Sequence, residues 1–263
     1  MHLKRLAVAI ILVPLFYVYL MYLPSEFFLF MLAFISTIAL VEFYGMFKLQ
    51  GVMKYCGIFW GAALLTVYFA AGNLFVDILL LAVLTTAGLR LFIKRDPVSS
   101  FSDVSTVILG LMYIPALLSF QLRLIKSGPA LVVLLYASVW AADSMAYYIG
   151  KGVGRRKLYQ EISPNKTIAG AVGSVLGGMF GAVLIRTAIL HQMSLYQAVF
   201  IGAAVGIATI IGDLVESMFK RDAGVKDSSQ IIPGHGGVLD KIDGVTFAGP
   251  IFYWVCVSMG LIR

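Results

Sequence analysis

Between Ser217 and Asp243 the chain reads SMFKRDAGVKDSSQIIPGHGGVLDKID, with four acids, four bases and a Pro-Gly-His-Gly-Gly turn set between two apolar segments. Each charge at the centre of a bilayer costs about 2.5–3.5 kcal/mol even on the lenient insertion scale, so a cluster this dense beside lipid-facing sequence has a task. The residue types say which task. Carboxylates hold Mg²⁺, lysine and arginine neutralise phosphate, and glycines let backbone N–H groups come close to an anion. The segment reads as a phosphate-and-metal site at a membrane surface.

Spacing sharpens this reading. Asp213, Glu216, Ser217 and Lys220 fall at i, i+3, i+4 and i+7, on one face of a helix. Asp240 and Asp243 stand three apart where the last apolar segment begins. Either these are buried ion pairs that fix helix packing, or the two acid pairs meet and make a divalent or two-cation site. The linker supplies Arg221, Asp222, Lys226 and Asp227, then Gly234, Gly236 and Gly237, whose freedom at φ > 0 suits a backbone nest for phosphate. His235 is the histidine in polar-loop context, a contact for substrate or a brace for the turn.

A second cluster joins Asp143, Ser144 and Tyr147 to the run Gly150 to Lys157 and to Ser163-Pro164-Asn165-Lys166-Thr167. Asp143 lies near the inner end of an apolar run, where an unpaired acid is costly. The Gly-x-Gly-x-Gly run has no strand before it, so it is no dinucleotide fingerprint. Arg155, Arg156 and Lys157 serve either the site or the topology. Ser163 to Thr167 reads as the start of a helix that sets Lys166 against phosphate.

Nine apolar runs must position these residues, near 6–23, 26–47, 55–72, 74–93, 104–122, 129–150, 168–190, 197–219 and 244–262. They are continuous, not alternating, so helices are expected and a barrel is not. Of 263 residues, 60% are hydrophobic and 13% charged, and mean hydropathy is +0.94. A soluble domain has about twice that charge. The expected fold is an all-α polytopic membrane protein of about nine transmembrane helices, its first run an uncleaved helix.

With the N-terminus in the cytoplasm, sixteen of the twenty lysines and arginines fall inside, a clear positive-inside bias. Loops 151–167 and 220–243 then face the cytoplasm, where nucleotides are. The net charge of +7 suits anionic lipid headgroups, and no nucleic-acid partner is expected. Residues 1–128 hold five of the thirteen acids and read as a scaffold; 129–263 read as the catalytic half of one membrane domain. Glu42 reads as a packing or snorkelling acid outside the site. Cys56 and Cys256 read as packing residues. Gly173, Gly177 and Gly181 form a small-residue stripe for close helix contact.

The stretch 217–243 resembles the signature of the phosphatidate cytidylyltransferases. Ser217, Phe219, Lys220, Arg221, Lys226, Asp227, Pro233, His235, Gly236, Gly237, Asp240 and Asp243 all fit it, and Asp143 to Tyr147 and Ser163 to Thr167 look like the same family. Lys241 stands where the family usually has Arg, and Gly244 where Ser is frequent. Lysine keeps the charge but loses the bidentate fork. The resemblance implies transfer of CMP from CTP to phosphatidic acid in a cytoplasmic (inner) membrane, with Mg²⁺ and room for a second cation. A homodimer is compatible with it. It implies Lys220, Arg221, Lys226 and Asp227 as catalytic residues, and Asp143, Asp213, Asp240 and Asp243 as metal ligands. Ser144, Tyr147, Lys166, Ser217, His235, Gly236 and Gly237 are then substrate contacts. A CTP-dependent lipid kinase, or another CTP:lipid-phosphate transferase, is the alternative in the same chemistry. A secondary transporter is the remote one.

Overall fold

The computed structural model describes residues 13–94, 96–231 and 236–262. They form helices α1 (Val13–Tyr22), α2 (Ser25–Met46), α3 (Val52–Ala70), α4 (Phe75–Ile93), α5 (Ser100–Ser127), α6 (Pro129–Val153), α7 (Ile168–Ala188), α8 (Leu195–Asp222) and α9 (Leu239–Ser258). The eight apolar runs from 26–47 onward fall on α2 to α9, and the described part of the first run falls on α1, its residues 6–12 lying outside the described residues. Seven, α2 to α8, are long and apolar enough to cross a membrane. The described part of α1 is shorter, and α9 opens on Asp240, Lys241 and Asp243. The chain is an all-α polytopic membrane protein. One departure from pure helix lies in the segment 151–167, where β1 (Lys157–Tyr159) pairs antiparallel with β2 (Ser163–Thr167).

Helices in lipid gain nothing from hiding apolar surface from one another, so close backbone contact through small residues decides which pairs form. On α7 one glycine face meets α6: a Cβ on Gly177 would lie 2.4 Å from the Ala141 carbonyl, and one on Gly181 2.7 Å from that of Ala137. The other face meets α8, where Gly178 and Gly202 abut each other's backbones and Gly206 abuts Ser174. Ser174 Oγ donates to the Gly206 carbonyl at 3.0 Å across that contact. The Gly150/Gly154 run is also a packing device, since a Cβ on Gly154 would sit 2.3 Å from Thr167 Oγ1. Thr167 in turn caps α7, accepting from the Gly170 N–H at 3.1 Å.

The α8–α9 contact matters most for the site. Gly212 touches the backbone of Asp243, a Cβ there falling 2.6 Å from the Asp243 carbonyl oxygen. Nothing larger than glycine lets Asp213 and Asp243 come so near each other.

Helices α3 and α5 pack around α2. Tyr44 is fully buried; Gly57 on α3 and Gly110 on α5 leave it room, and its hydroxyl donates to the Val107 carbonyl at 3.2 Å. Phe43 meets Phe219 of α8 edge-on at 5.9 Å between ring centroids. Within α5, Pro115 lies in a π-helical turn, Met112–Ala116. That wider turn absorbs the missing N–H without breaking the helix. The second half of α5 then packs against α9 and α6.

Candidate active site

A cavity of about 860 Å³ opens where α6, the β-hairpin, α7, α8 and the start of α9 converge. Its volume falls in the range of small-molecule ligand sites. Four lysines and four aspartates line it: Lys151, Lys157, Lys166 and Lys220 with Asp143, Asp213, Asp240 and Asp243. Lys151 and Lys157 are exposed, whereas Lys220 is buried. The bases therefore reach from the rim to the floor, and the acids gather where the helices meet.

Asp213, Glu216 and Asp243 each offer an oxygen, all three within 4.8 Å of one another. Their positions follow from the local sequence: three residues along α8 separate Asp213 from Glu216, and the Gly212 contact brings in Asp243. Glu216 is fully buried, and its Oε2 takes the ammonium of Lys220, one turn along, as its ion partner. Lys166 Nζ stands 2.7 Å from Asp213 Oδ1, and Ser217 Oγ donates to the same oxygen at 3.4 Å. A set of hard carboxylate oxygens, partly balanced by ammonium groups, suits Mg²⁺. The residues present fit that ion.

Asp240 lines the same cavity and is held by a lysine and by the glycine turn. Its Oδ1 takes the Lys220 ammonium at 2.5 Å. Its Oδ2 accepts from the N–H groups of Gly237 at 2.7 Å and Ser228 at 3.0 Å, and from Ser228 Oγ at 2.9 Å. Lys220 is thereby held between Glu216 and Asp240. The signature glycines make room for this arrangement. Gly236 has φ +84°, and a Cβ there would be 2.5 Å from Asp240 Oδ2; the Gly237 N–H points at Asp240.

The other expected residues divide into two groups. Asp143 and Tyr147 on α6 line the cavity, as does Lys166 on β2. Ser144 is exposed on α6 and lies outside the lining, as do Lys226 and Asp227. Arg221 reaches sideways, donating from Nε to the Ile162 carbonyl at 3.2 Å and from Nη1 to the Val225 carbonyl at 3.1 Å. It ties the end of α8 to the hairpin. His235 lies outside the described residues. Glu216 joins the acid cluster without having been counted among the ligands, although its i+3 spacing from Asp213 was the available signal. Lys151 and Lys157 line the cavity as well as carrying topological charge.

A smaller cavity of about 130 Å³ adjoins the first through Asp143. Aromatic and aliphatic side chains line it, among them Phe16, Ile35, Tyr136 and Trp140, with Lys241 at its polar end. One apolar recess thus shares a carboxylate with the charged cavity.

Three curated proteins are similar to the chain over about two thirds of its length. The chain is 35% identical over 210 residues to the phosphatidate cytidylyltransferase of Synechocystis sp., covering 67% of this chain and 70% of that one. It is 36% identical over 180 residues to the phosphatidate cytidylyltransferase of Thermotoga maritima, covering 66% of this chain and 67% of the relative. The enzyme of that name from Bacillus subtilis is 33% identical over 183 residues, 68% of this chain and 67% of that one. The model of the Cytidylyltransferase family matches residues 3–259. With that match spanning nearly the whole sequence and the charged cavity built from its signature residues, the chain belongs to the cytidylyltransferase family.

Proposed function

We propose that this protein transfers CMP from CTP to phosphatidic acid, giving CDP-diacylglycerol and pyrophosphate. The observation that carries this reading is the joining of an acid cluster to a lysine-lined cavity. A phosphate oxygen of phosphatidate attacks the α-phosphorus of CTP; the new P–O bond forms there and the bond to the β-phosphate oxygen breaks. The attacking oxygen is already anionic near neutral pH, so no activated serine, cysteine or histidine is required. The reaction does need charge neutralised at the α-phosphorus and on the leaving pyrophosphate. Asp213, Glu216 and Asp243 would hold Mg²⁺, which supplies Lewis-acid polarisation of the phosphoryl oxygens. Lys220, fixed by Glu216 and Asp240, and Lys166 present ammonium groups to the phosphates, and Lys151 and Lys157 draw the nucleotide to the mouth.

Lipid access fits the smaller recess. Its aromatic wall suits the glycerol and the first methylenes of an acyl chain, and Lys241 suits the lipid phosphate, with Asp143 between recess and cavity. The charge distribution along the chain supports a cytoplasmic-facing site in a cytoplasmic membrane. Cysteines placed at Gln160 and Ser229, in a background without Cys56 and Cys256, test that orientation. They should resist an impermeant thiol reagent in intact cells and react in inside-out vesicles. Labelling of whole cells would reverse the topology.

The reaction itself is tested with purified protein, CTP, Mg²⁺ and phosphatidic acid in detergent. CDP-diacylglycerol and pyrophosphate should appear in equal amounts. Failure to form either with folded protein would remove the reading.

A further inference from the structure

Glu42 stands on α2, and no residue of α2 lines the charged cavity. It is nonetheless buried, 3% exposed, and its carboxylate accepts three hydrogen bonds from the signature segment and shares a fourth donor, the single Ser228 hydroxyl proton, with Asp240. Oε1 accepts from Ser229 Oγ at 2.7 Å and the Val238 N–H at 2.9 Å. Oε2 accepts from Ser228 Oγ at 3.1 Å and the Leu239 N–H at 2.8 Å.

Two of those donors are the backbone N–H groups of Val238 and Leu239, the N-cap and first residue of α9. The residue at the N-cap position of α9 is Val238, which has no side-chain acceptor, and α9 makes no side-chain cap of its own. Uncapped N–H groups at a buried helix start are costly, and a carboxylate there also meets the positive end of the helix dipole. Glu42 supplies the missing cap from nearly two hundred residues away. It is gripped in turn from its own side: Phe43 packs on Phe219, the residue before Lys220, and Tyr44 is sealed between α3 and α5. Gly237 is required by the same arrangement, since a Cβ there would fall 2.1 Å from Ser228 Oγ and 2.5 Å from Glu42 Oε2.

We infer that Glu42 is a positioning residue for the transfer reaction, capping α9 so that Asp240 grips Lys220 and Asp243 faces Asp213. It touches neither substrate nor metal. It acts through Ser228, whose hydroxyl lies between Glu42 and Asp240, and through the register of the first turn of α9. The inference rests on the reading of Asp213, Glu216 and Asp243 as the Mg²⁺ site.

Glu42→Gln keeps the shape but replaces one acceptor oxygen with an NH₂ group facing the same donors. A displacement near 1 Å at a reacting centre costs about 10²-fold in rate, so kcat per folded enzyme should fall by that order. The Mg²⁺-induced rise in Tm, measured without lipid or nucleotide, should shrink with it. Ser228→Ala should lower kcat as well, and the double variant should lose no more than the worse single one. Glu42→Asp, which keeps the charge, should recover part of the loss. A lower Tm with unchanged kcat and unchanged Mg²⁺ response would leave Glu42 a stability residue and overturn the inference. So would strictly multiplicative losses in the double variant. If Glu42→Gln fails to fold, Ser229→Ala decides the matter, since it removes one donor and leaves the carboxylate: an unchanged kcat and Mg²⁺ response would again overturn the inference. If the wild-type protein forms no CDP-lipid, the reaction reading fails separately, and the Mg²⁺-dependent Tm still decides the role of Glu42.

Discussion

Replacing Gly212 with alanine tests the geometry of the acid cluster with a single methyl group. The added Cβ would lie 2.6 Å from the Asp243 carbonyl oxygen and 2.7 Å from Phe247 Cβ, where ordinary contact begins at 3.4 Å. Both obstacles are backbone or the base of a side chain, and neither can rotate away. The helices α8 and α9 must therefore part by about 0.8 Å at this point. An octahedral Mg²⁺ holds oxygens at about 2.1 Å, so two of its ligands are never more than about 4.2 Å apart. The three carboxylate oxygens lie within 4.8 Å of one another, so closing on one ion takes a small inward shift, which a wedge between α8 and α9 opposes. A misplacement of that size costs about 10²-fold, or about 2.7 kcal/mol of transition-state stabilisation. The assay is initial velocity against Mg²⁺ concentration at saturating CTP and phosphatidic acid. The expected result is a raised Mg²⁺ requirement with kcat depressed even at saturation. Gly88→Ala is the control, because nothing lies within 4 Å of its Cβ; it should match wild type. A Gly212→Ala enzyme with normal turnover and normal Mg²⁺ response would refute the claim that the α8–α9 approach builds the site.

Asp243→Asn and Asp240→Asn should fail differently. The first removes a carboxylate from the acid cluster, so Mg²⁺ activation should vanish with little change in Tm. The second removes the charge that holds Lys220 and two backbone N–H groups, so Tm and kcat should fall together; identical behaviour of the two would contradict the separate roles. Lys220→Met leaves Glu216 and Asp240 without their shared ammonium, a loss of about 3–5 kcal/mol for a broken buried pair, readable as a lowered thermal midpoint and loss of turnover. Lys54→Ala on α3, remote from the cavity, should leave both near wild type, and equal effects of the two substitutions would remove Lys220 from the site.

The helices could be read from the sequence because a spanning helix must satisfy its own backbone and stay apolar for about twenty residues. The convergence of Asp213 and Asp243 was also visible, since each opens or closes a charged run beside an apolar one. The partners of Asp240 were not. Its i+3 spacing from Asp243 suggests a shared metal and gives no sign that the Gly236-Gly237 turn wraps backbone donors around it. Glu42 was beyond local reading, because an acid at the end of an apolar run looks alike whether it snorkels or caps a helix 197 positions away. The hairpin at 157–167 was hidden by its brevity and by Pro164, which argues against a strand except at an edge. The rim lysines Lys151 and Lys157 carried two meanings at once, topology and cavity, that composition cannot separate.

In the proposed reaction, attack falls on the α-phosphorus of CTP. Purified protein should be incubated with Mg²⁺, phosphatidic acid and CTP labelled at either the α- or the γ-phosphate. Label from the α-position should move into the lipid fraction, and γ-label should leave as pyrophosphate in matching amount. Recovery of γ-label in lipid, with CDP as the released nucleotide, would contradict the account and make the protein a lipid kinase.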